Sequence, residues 1–218
     1  MIRSDNLRSA YIQDDVDHYL YELLPPRDAV ISEMESYAAE HRVPIIGPAV
    51  ARLLFLMAQT SGAQSIFEMG SAIGYSTIWL ARAAGLKGKV HYTDGDPANA
   101  ERAREYFRRA GVAKRIHVGV GDAMELLKKT PGKFDLIFND VDKRQYPDAL
   151  RAALPKLKKG GLFITDNTLW SGKAARPAAA GDKDTLGVQE FNRLVYASKE
   201  LYPVLIPLRD GVTVCRKL

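Results

Sequence analysis

The stretch Ser65-Ile66-Phe67-Glu68-Met69-Gly70-Ser71-Ala72-Ile73-Gly74-Tyr75-Ser76 decides the fold. A short apolar run, Ser65–Met69, stops at Gly70, and a helical apolar spacing begins at Tyr75 and runs to Ala84. The order is strand, glycine turn, helix. Glycine at the turn lets the backbone reverse sharply and lets a ligand approach it closely. A tight turn with no ligand explains the two glycines equally well.

The alternation repeats downstream. Strands are predicted at Val90–Thr93, Ile116–Val120, Phe134–Asn139 and Leu162–Thr165, with helices at Ala98–Ala110, Ala123–Lys129 and Tyr146–Leu157. Strands alternating with helices give βαβ units and a doubly wound parallel α/β sheet. Two last strands, Val204–Leu208 and Val212–Cys215, flank Arg209-Asp210-Gly211. Asp-Gly between strands signals a hairpin, so this pair is expected to be antiparallel. Between the two blocks, Ser171–Gly187 has no apolar period. It reads as a surface loop and, because it follows a strand's C-terminal end, as a candidate lid.

Upstream lie three helical spacings. Val16, Tyr19, Leu20, Leu23 and Leu24 form one stripe, and Val30, Met34 and Tyr37 form a second beyond Pro25-Pro26. Val50, Leu53, Leu54 and Met57 form a third after Gly47-Pro48. The 218 residues suit a single domain, with residues 1–45 as a helical extension. The net charge is +5, yet residues 1–45 hold four basic groups against nine acidic ones, a net of −5. An acidic segment on a basic body suggests a charge match within the chain or between subunits. Cys215 is alone, which excludes an internal disulfide and a thiolate zinc site. The first residues lack the apolar core of a signal peptide, and no run approaches the roughly 18 apolar residues of a membrane span. A cytoplasmic protein with no membrane partner is the expectation.

The strand ends carry the chemistry. A dinucleotide fingerprint needs a glycine two places after Gly70, and Ala72 stands there. Asp94 ends the second strand, about 20 residues on, where a carboxylate accepts hydrogen bonds from ribose hydroxyls. Asp96, ahead of Pro97, is the better helix cap, which frees Asp94. A glycine turn with an acidic second strand, but no pyrophosphate glycine, favours S-adenosylmethionine over NAD. Gly121, Asp122 and Ala123 end the third strand, where an adenine edge would lie; Asp122 reads equally well as a helix cap. The fourth strand ends Asn139-Asp140-Val141-Asp142-Lys143 and the fifth Thr165-Asp166-Asn167. In a sheet ordered 3-2-1-4-5 these are neighbours, and Asp140, Asp166 and Asn167 converge. Two carboxylates and an amide form a hard oxygen set suited to Mg²⁺ or Ca²⁺. Capping acids on two separate loops are the plainer alternative.

With these motifs in place, the chain resembles the cation-dependent class I O-methyltransferases, which include the catechol and caffeoyl-CoA enzymes and small bacterial members. The resemblance runs from Val43-Pro44-Ile45-Ile46 to Asp210-Gly211. It implies a seven-stranded Rossmann-like sheet of order 3-2-1-4-5-7-6 with the antiparallel hairpin, and often a homodimer. It also implies metal ligands at Asp140, Asp166 and Asn167 for Mg²⁺, Ca²⁺ or Mn²⁺, a catalytic lysine at Lys143, and for Asp140 a catalytic and cofactor-contacting place besides. Cofactor contacts are implied at Ile46, Glu68, Gly70, Ser76, Asp94, Ala123 and Asp142, beside Ser71, Gly121 and Asp122 of the same turns. Lys143, Trp170 and Ser171 stand where the acceptor would bind. Ser171 departs from the Asn of plant enzymes, which speaks against a CoA-thioester acceptor; a catechol-like phenol is the expected one.

Other readings are open at this point. Some relatives methylate 5-hydroxyuridine in tRNA, and Arg102, Arg104, Arg108, Arg109, Lys114 and Arg115 would offer phosphate contacts. A non-catalytic nucleoside-binding module and an NAD-dependent dehydrogenase are the remaining alternatives. The second is weakened by Ala72. Trp79, Phe107 and Cys215 read as core.

Overall fold

The computed structural model describes residues 12–218. Arg3, Asp5 and Arg8 of the acidic-segment reading therefore lie outside the described residues. Three helices, α1 (Asp14–Glu22), α2 (Ala29–His41) and α3 (Gly47–Thr60), precede the sheet. Then follow β1 (Ser65–Met69), α4 (Tyr75–Ala83), β2 (Lys89–Asp94), α5 (Pro97–Arg109), β3 (Ile116–Val120) and α6 (Ala123–Lys129). The chain continues through β4 (Phe134–Asn139), α7 (Tyr146–Ala153), β5 (Leu157–Thr165) and α8 (Lys183–Ala197), and ends in β6 (Leu201–Ile206) and β7 (Val212–Lys217).

The seven strands are ordered β3-β2-β1-β4-β5-β7-β6, as expected. The first five are parallel, and β7 runs antiparallel to both β5 and β6. Side chains alternate between the faces with the period of two that a strand imposes. Ile66, Leu136, Phe138 and Ile164 pack on one face under α2 to α5; Phe67, Met69, Ile137, Phe163 and Cys215 pack on the other under α6 to α8. Both faces are covered, so the central strands are nearly continuous apolar runs. Among the described residues no helix is long and apolar enough to cross a membrane.

Several expectations need correction. The helix read over Tyr146–Leu157 ends at Ala153, and β5 already begins at Leu157. Pro155 cannot continue a helical ladder and disfavours it for the residue before. The loop read over Ser171–Gly187 overlaps α8, which Asp182 caps by accepting from the Thr185 N–H at 3.0 Å. Gly187 inside that helix obscured it; Val188, Phe191 and Val195 are its buried face. The predicted hairpin is antiparallel, but a five-residue loop, 207–211, joins its strands. The α1 stripe is a helix face as read, yet Val16, Tyr19, Leu20 and Leu23 are exposed.

The acidic helices and the basic body do match. Asp28 caps α2 and receives Arg82 at 2.6 Å, Glu33 pairs with Arg109, and Glu35, paired with Arg27 inside the extension, accepts from the Tyr75 hydroxyl at 2.7 Å. Exposed pairs contribute about 0–1 kcal/mol each. The anchor is instead the burial of Ile31, Met34 and Ala38 in the same core as the sheet. Truncating Met34 to Ala should therefore cost about 2–5 kcal/mol, whereas Arg82→Ala should cost about 1 kcal/mol or less. Denaturant titration of both variants checks this ordering.

Candidate active site

One cleft, about 800 Å³, opens at the C-terminal ends of β1, β2, β4 and β5. This is the rim where ligands bind in open parallel sheets, beside the point at which the strand order reverses. Of the predicted residues, Ile46, Gly70, Ser71, Ser76, Asp94, Gly121, Asp122 and Ala123 line one part of it. Asp140, Asp142, Lys143, Asp166, Asn167 and Trp170 line the other. Glu68 and Ser171 are not on its wall.

The glycine turn is built by close approach. A Cβ on Gly70 would lie 2.5 Å from the Asp140 carbonyl oxygen, and Gly70 has φ +79°. Only glycine meets both demands. Asp140 N–H donates to the Met69 carbonyl at 2.8 Å, so the β1 and β4 turns are pinned together. Asp94 braces the turn from the side: its carboxylate accepts from the Ala72 N–H at 2.8 Å, the Asp96 N–H at 2.9 Å and Asn99 at 3.1 Å. An ionised carboxylate has about four acceptor directions, so capacity is left for a ligand. Asp122 caps α6 by accepting from Glu125 N–H at 2.9 Å, and Asp142 is exposed with Arg144 at 3.4 Å.

Glu68 lies beneath the turn, fully buried. Ser76 and Thr77 at the start of α4 donate to its carboxylate. Burial pushes its carboxyl up to about 7, against the pull of those hydroxyls. It ties β1 to α4 under the cleft floor.

The charged end of the cleft is denser. Lys143 Nζ is 2.8 Å from Asp140 Oδ1 and lies over the rings of Tyr146 and Trp170, at 5.3 and 5.8 Å from their centroids. Burial would lower the Lys143 pKa, but Asp140 and Tyr146 together outweigh it and the net shift is upward. Gly187 lets α8 reach this loop, since a Cβ there would meet the Lys143 carbonyl oxygen at 2.4 Å. Asp166 is held at its backbone by the Tyr146 hydroxyl, which donates to its carbonyl at 2.8 Å. Burial pushes the Asp166 carboxyl up to about 6, opposed first by Arg209. Asp166 Oδ1 is buried without a hydrogen-bond partner, and the Asn167 amide nitrogen donates to Asp210 at 3.2 Å.

Sequence reasoning passed over Arg209. Its guanidinium lines the cleft, donating to Asp166 Oδ2 at 2.8 Å and to the Ile45 carbonyl at 3.3 Å. Nothing local flagged it, because its partner lies on another strand end. Ser171 turns outward, and only its backbone N–H is tied, to Asp210 Oδ1. The basic face read at Arg102–Arg115 is largely engaged within the chain. Arg102 lies over the Tyr37 ring, Arg109 pairs with Glu33, Arg108 with Glu105, and Arg115 donates to the carbonyls of Ala81 and Gly85.

The chain was compared with known proteins. A family model described as O-methyltransferase matches residues 27–218. The catechol O-methyltransferase of Niastella koreensis is 32% identical over 193 residues, covering 86% of this chain and 87% of that protein. The Bacillus cereus O-methyltransferase, solved with S-adenosylhomocysteine, is 28% identical with a TM-score of 0.85, covering 94% of this chain and 97% of that one. TomG of Streptomyces achromogenes, involved in tomaymycin synthesis and solved with S-adenosylmethionine, is 26% identical with a TM-score of 0.85, covering 100% and 99%. The match over residues 27–218, on a sheet of the same topology, places this chain in the class I O-methyltransferase family, whose methyl donor is S-adenosylmethionine.

Proposed function

We propose that this enzyme methylates a hydroxyl of a small catechol-like phenol, with a divalent cation bound beside the acceptor. The observation that carries the reading is the meeting of two sets of groups in one cleft: the glycine turn with Asp94, and Asp140, Lys143, Asp166 and Asn167. The first suits a nucleoside cofactor, the second an acidic hydroxyl.

Asp140, Asp166 and Asn167 would hold the cation. All three offer hard oxygen donors, and the partnerless, buried Oδ1 of Asp166 is an atom such an ion would satisfy. When bound, Mg²⁺, Ca²⁺ or Mn²⁺ supplies Lewis-acid polarisation of the acceptor's hydroxyl. The chain does the rest. Asp94 takes the ribose hydroxyls, Gly70 and Ser71 border the methionine end with Ile46, and Gly121 to Ala123 border the adenine. Glu68 and Ser76 fix the turn, and Asp142 meets the cofactor's amino group. Lys143, whose ammonium form the Asp140 carboxylate favours, steadies the acceptor's anion, and it could take the acceptor's proton only after giving up its own. Trp170 walls the acceptor, with Ser171 at its outer margin. As the oxygen–methyl bond forms, the sulfur–methyl bond breaks and the sulfonium becomes a neutral thioether. Alignment of oxygen, carbon and sulfur by the two halves of the cleft supplies much of the rate gain.

The internal engagement of the arginines favours a small acceptor over tRNA. Residues 1–218 act as one domain, with 1–45 as its extension; the shared core of α2 and the sheet supports this. The exposed apolar face of α1 supports a homodimer, and the cytoplasm is the proposed location.

Lys143→Ala should keep S-adenosylmethionine binding by calorimetry while turnover falls about 100-fold or more; unchanged turnover would refute its role. Asp94→Ala should weaken cofactor binding about tenfold or more, and tight NADH binding instead would overturn the cofactor. EDTA should abolish methylation in a panel of catechols, flavonoids and hydroxyuridine-containing tRNA, with Mg²⁺ restoring it. Chelator-resistant turnover would sink the metal reading, and turnover confined to tRNA would sink the phenolic one.

A further inference from the structure

Two carboxylates at adjacent strand ends repel one another unless a cation lies between them. Here that cation is already part of the chain. Arg209 and Asp166 form a pair at 2.8 Å with side chains only 10% and 1% exposed. The loop that carries Arg209 is fastened to the end of β5: Thr168 N–H donates to the Gly211 carbonyl at 3.0 Å and Leu169 N–H to the Asp210 carbonyl at 2.9 Å. Arg209 itself sits at φ +52°, a left-handed conformation that side-chain-bearing residues seldom adopt. Asp166 cannot retreat, because its N–H donates to the Asn139 carbonyl and its own carbonyl accepts from Tyr146. The pairing is set by the fold on both sides.

Asp140 is balanced by Lys143 and Asp166 by Arg209, so each carboxylate of the donor set already has a cation before any ion arrives, and the Asp210 carboxylate beside Asn167 adds one further negative charge. A divalent ion would bring two further charges into a half-buried site and would lie within a few ångströms of the guanidinium. Like charges at that range oppose one another strongly where water is scarce. The ion and the guanidinium also draw on the same carboxylate, the ion at Oδ1 and the guanidinium at Oδ2.

We propose that Arg209 is a built-in counter-cation that competes with the divalent ion for Asp166 and holds the enzyme's metal affinity down. This rests on the divalent-ion reading given above. The consequence is an enzyme that binds its metal weakly while Arg209 holds Asp166, and whose donor set stays ordered without one.

Mn²⁺ titration of the protein saturated with S-adenosylhomocysteine, followed by the electron-spin resonance of free Mn²⁺, tests it. The wild type is compared with Arg209→Gly, which suits the left-handed backbone, and Arg209→Gln, which keeps a polar side chain should the glycine variant fold poorly. S-adenosylhomocysteine binding and thermal unfolding report the fold of each. The expected result is Mn²⁺ binding about tenfold or more tighter in the substituted chains, lost again when Asp166→Asn is added. Equal or weaker binding in both variants overturns the competition and leaves the metal reading standing. No Mn²⁺ binding by any chain overturns the metal reading, and the proposal with it.

Discussion

The close approach of two strand-end turns governs this molecule. Gly70 and Asp140 meet backbone to backbone across the reversal in strand order, where a single methyl group would not fit. Because β1 and β4 are parallel neighbours, their C-terminal ends open on the same rim. The contact puts a turn able to cradle a nucleoside against a turn bearing an acid and a lysine. Every later feature of the cleft is placed relative to that seam.

Burial then sets the electrostatics. Glu68 and Asp166 are both nearly sealed from water, and each is satisfied in its own way. Glu68 takes two hydroxyls from α4, a neutral solution that ties a strand to a helix. Asp166 takes a guanidinium from the hairpin loop and keeps one oxygen unpartnered. A buried carboxylate without partners would be costly, so these neighbours are requirements of the fold as much as of the site. The difference between them matches position: Glu68 is under the floor, and Asp166 is in the wall.

The N-terminal helices show which forces hold an appendage to a body. Charge pairs join Asp28 and Glu33 to the arginines of α4 and α5. Apolar burial of Ile31 and Met34 anchors the segment. The exposed face of α1 carries the same kind of stripe without the same burial, which separates amphipathic patterning from packing.

Periodicity and turn chemistry were enough to read the strands of the parallel block, the glycine turn, the acidic second strand and the acids that end the fourth and fifth strands. These are local signals: a period of two or 3.6, a Gly where φ is positive, an acid at a strand end. The antiparallel end of the sheet was legible in kind but not in detail, since Asp-Gly marks a turn without fixing its length. α8 was hidden by Gly187, whose reason for being there is a contact with the Lys143 loop far away in sequence. Arg209 was invisible for the same cause. Its meaning comes from Asp166, 43 residues earlier and on another strand, and only the antiparallel pairing of β7 with β5 brings the two together. The sequence alone determined which elements form and where their polar ends fall. Which of those ends touch, and so which charges balance, was decided by tertiary pairing, because a Coulomb interaction depends on distance in space and not along the chain.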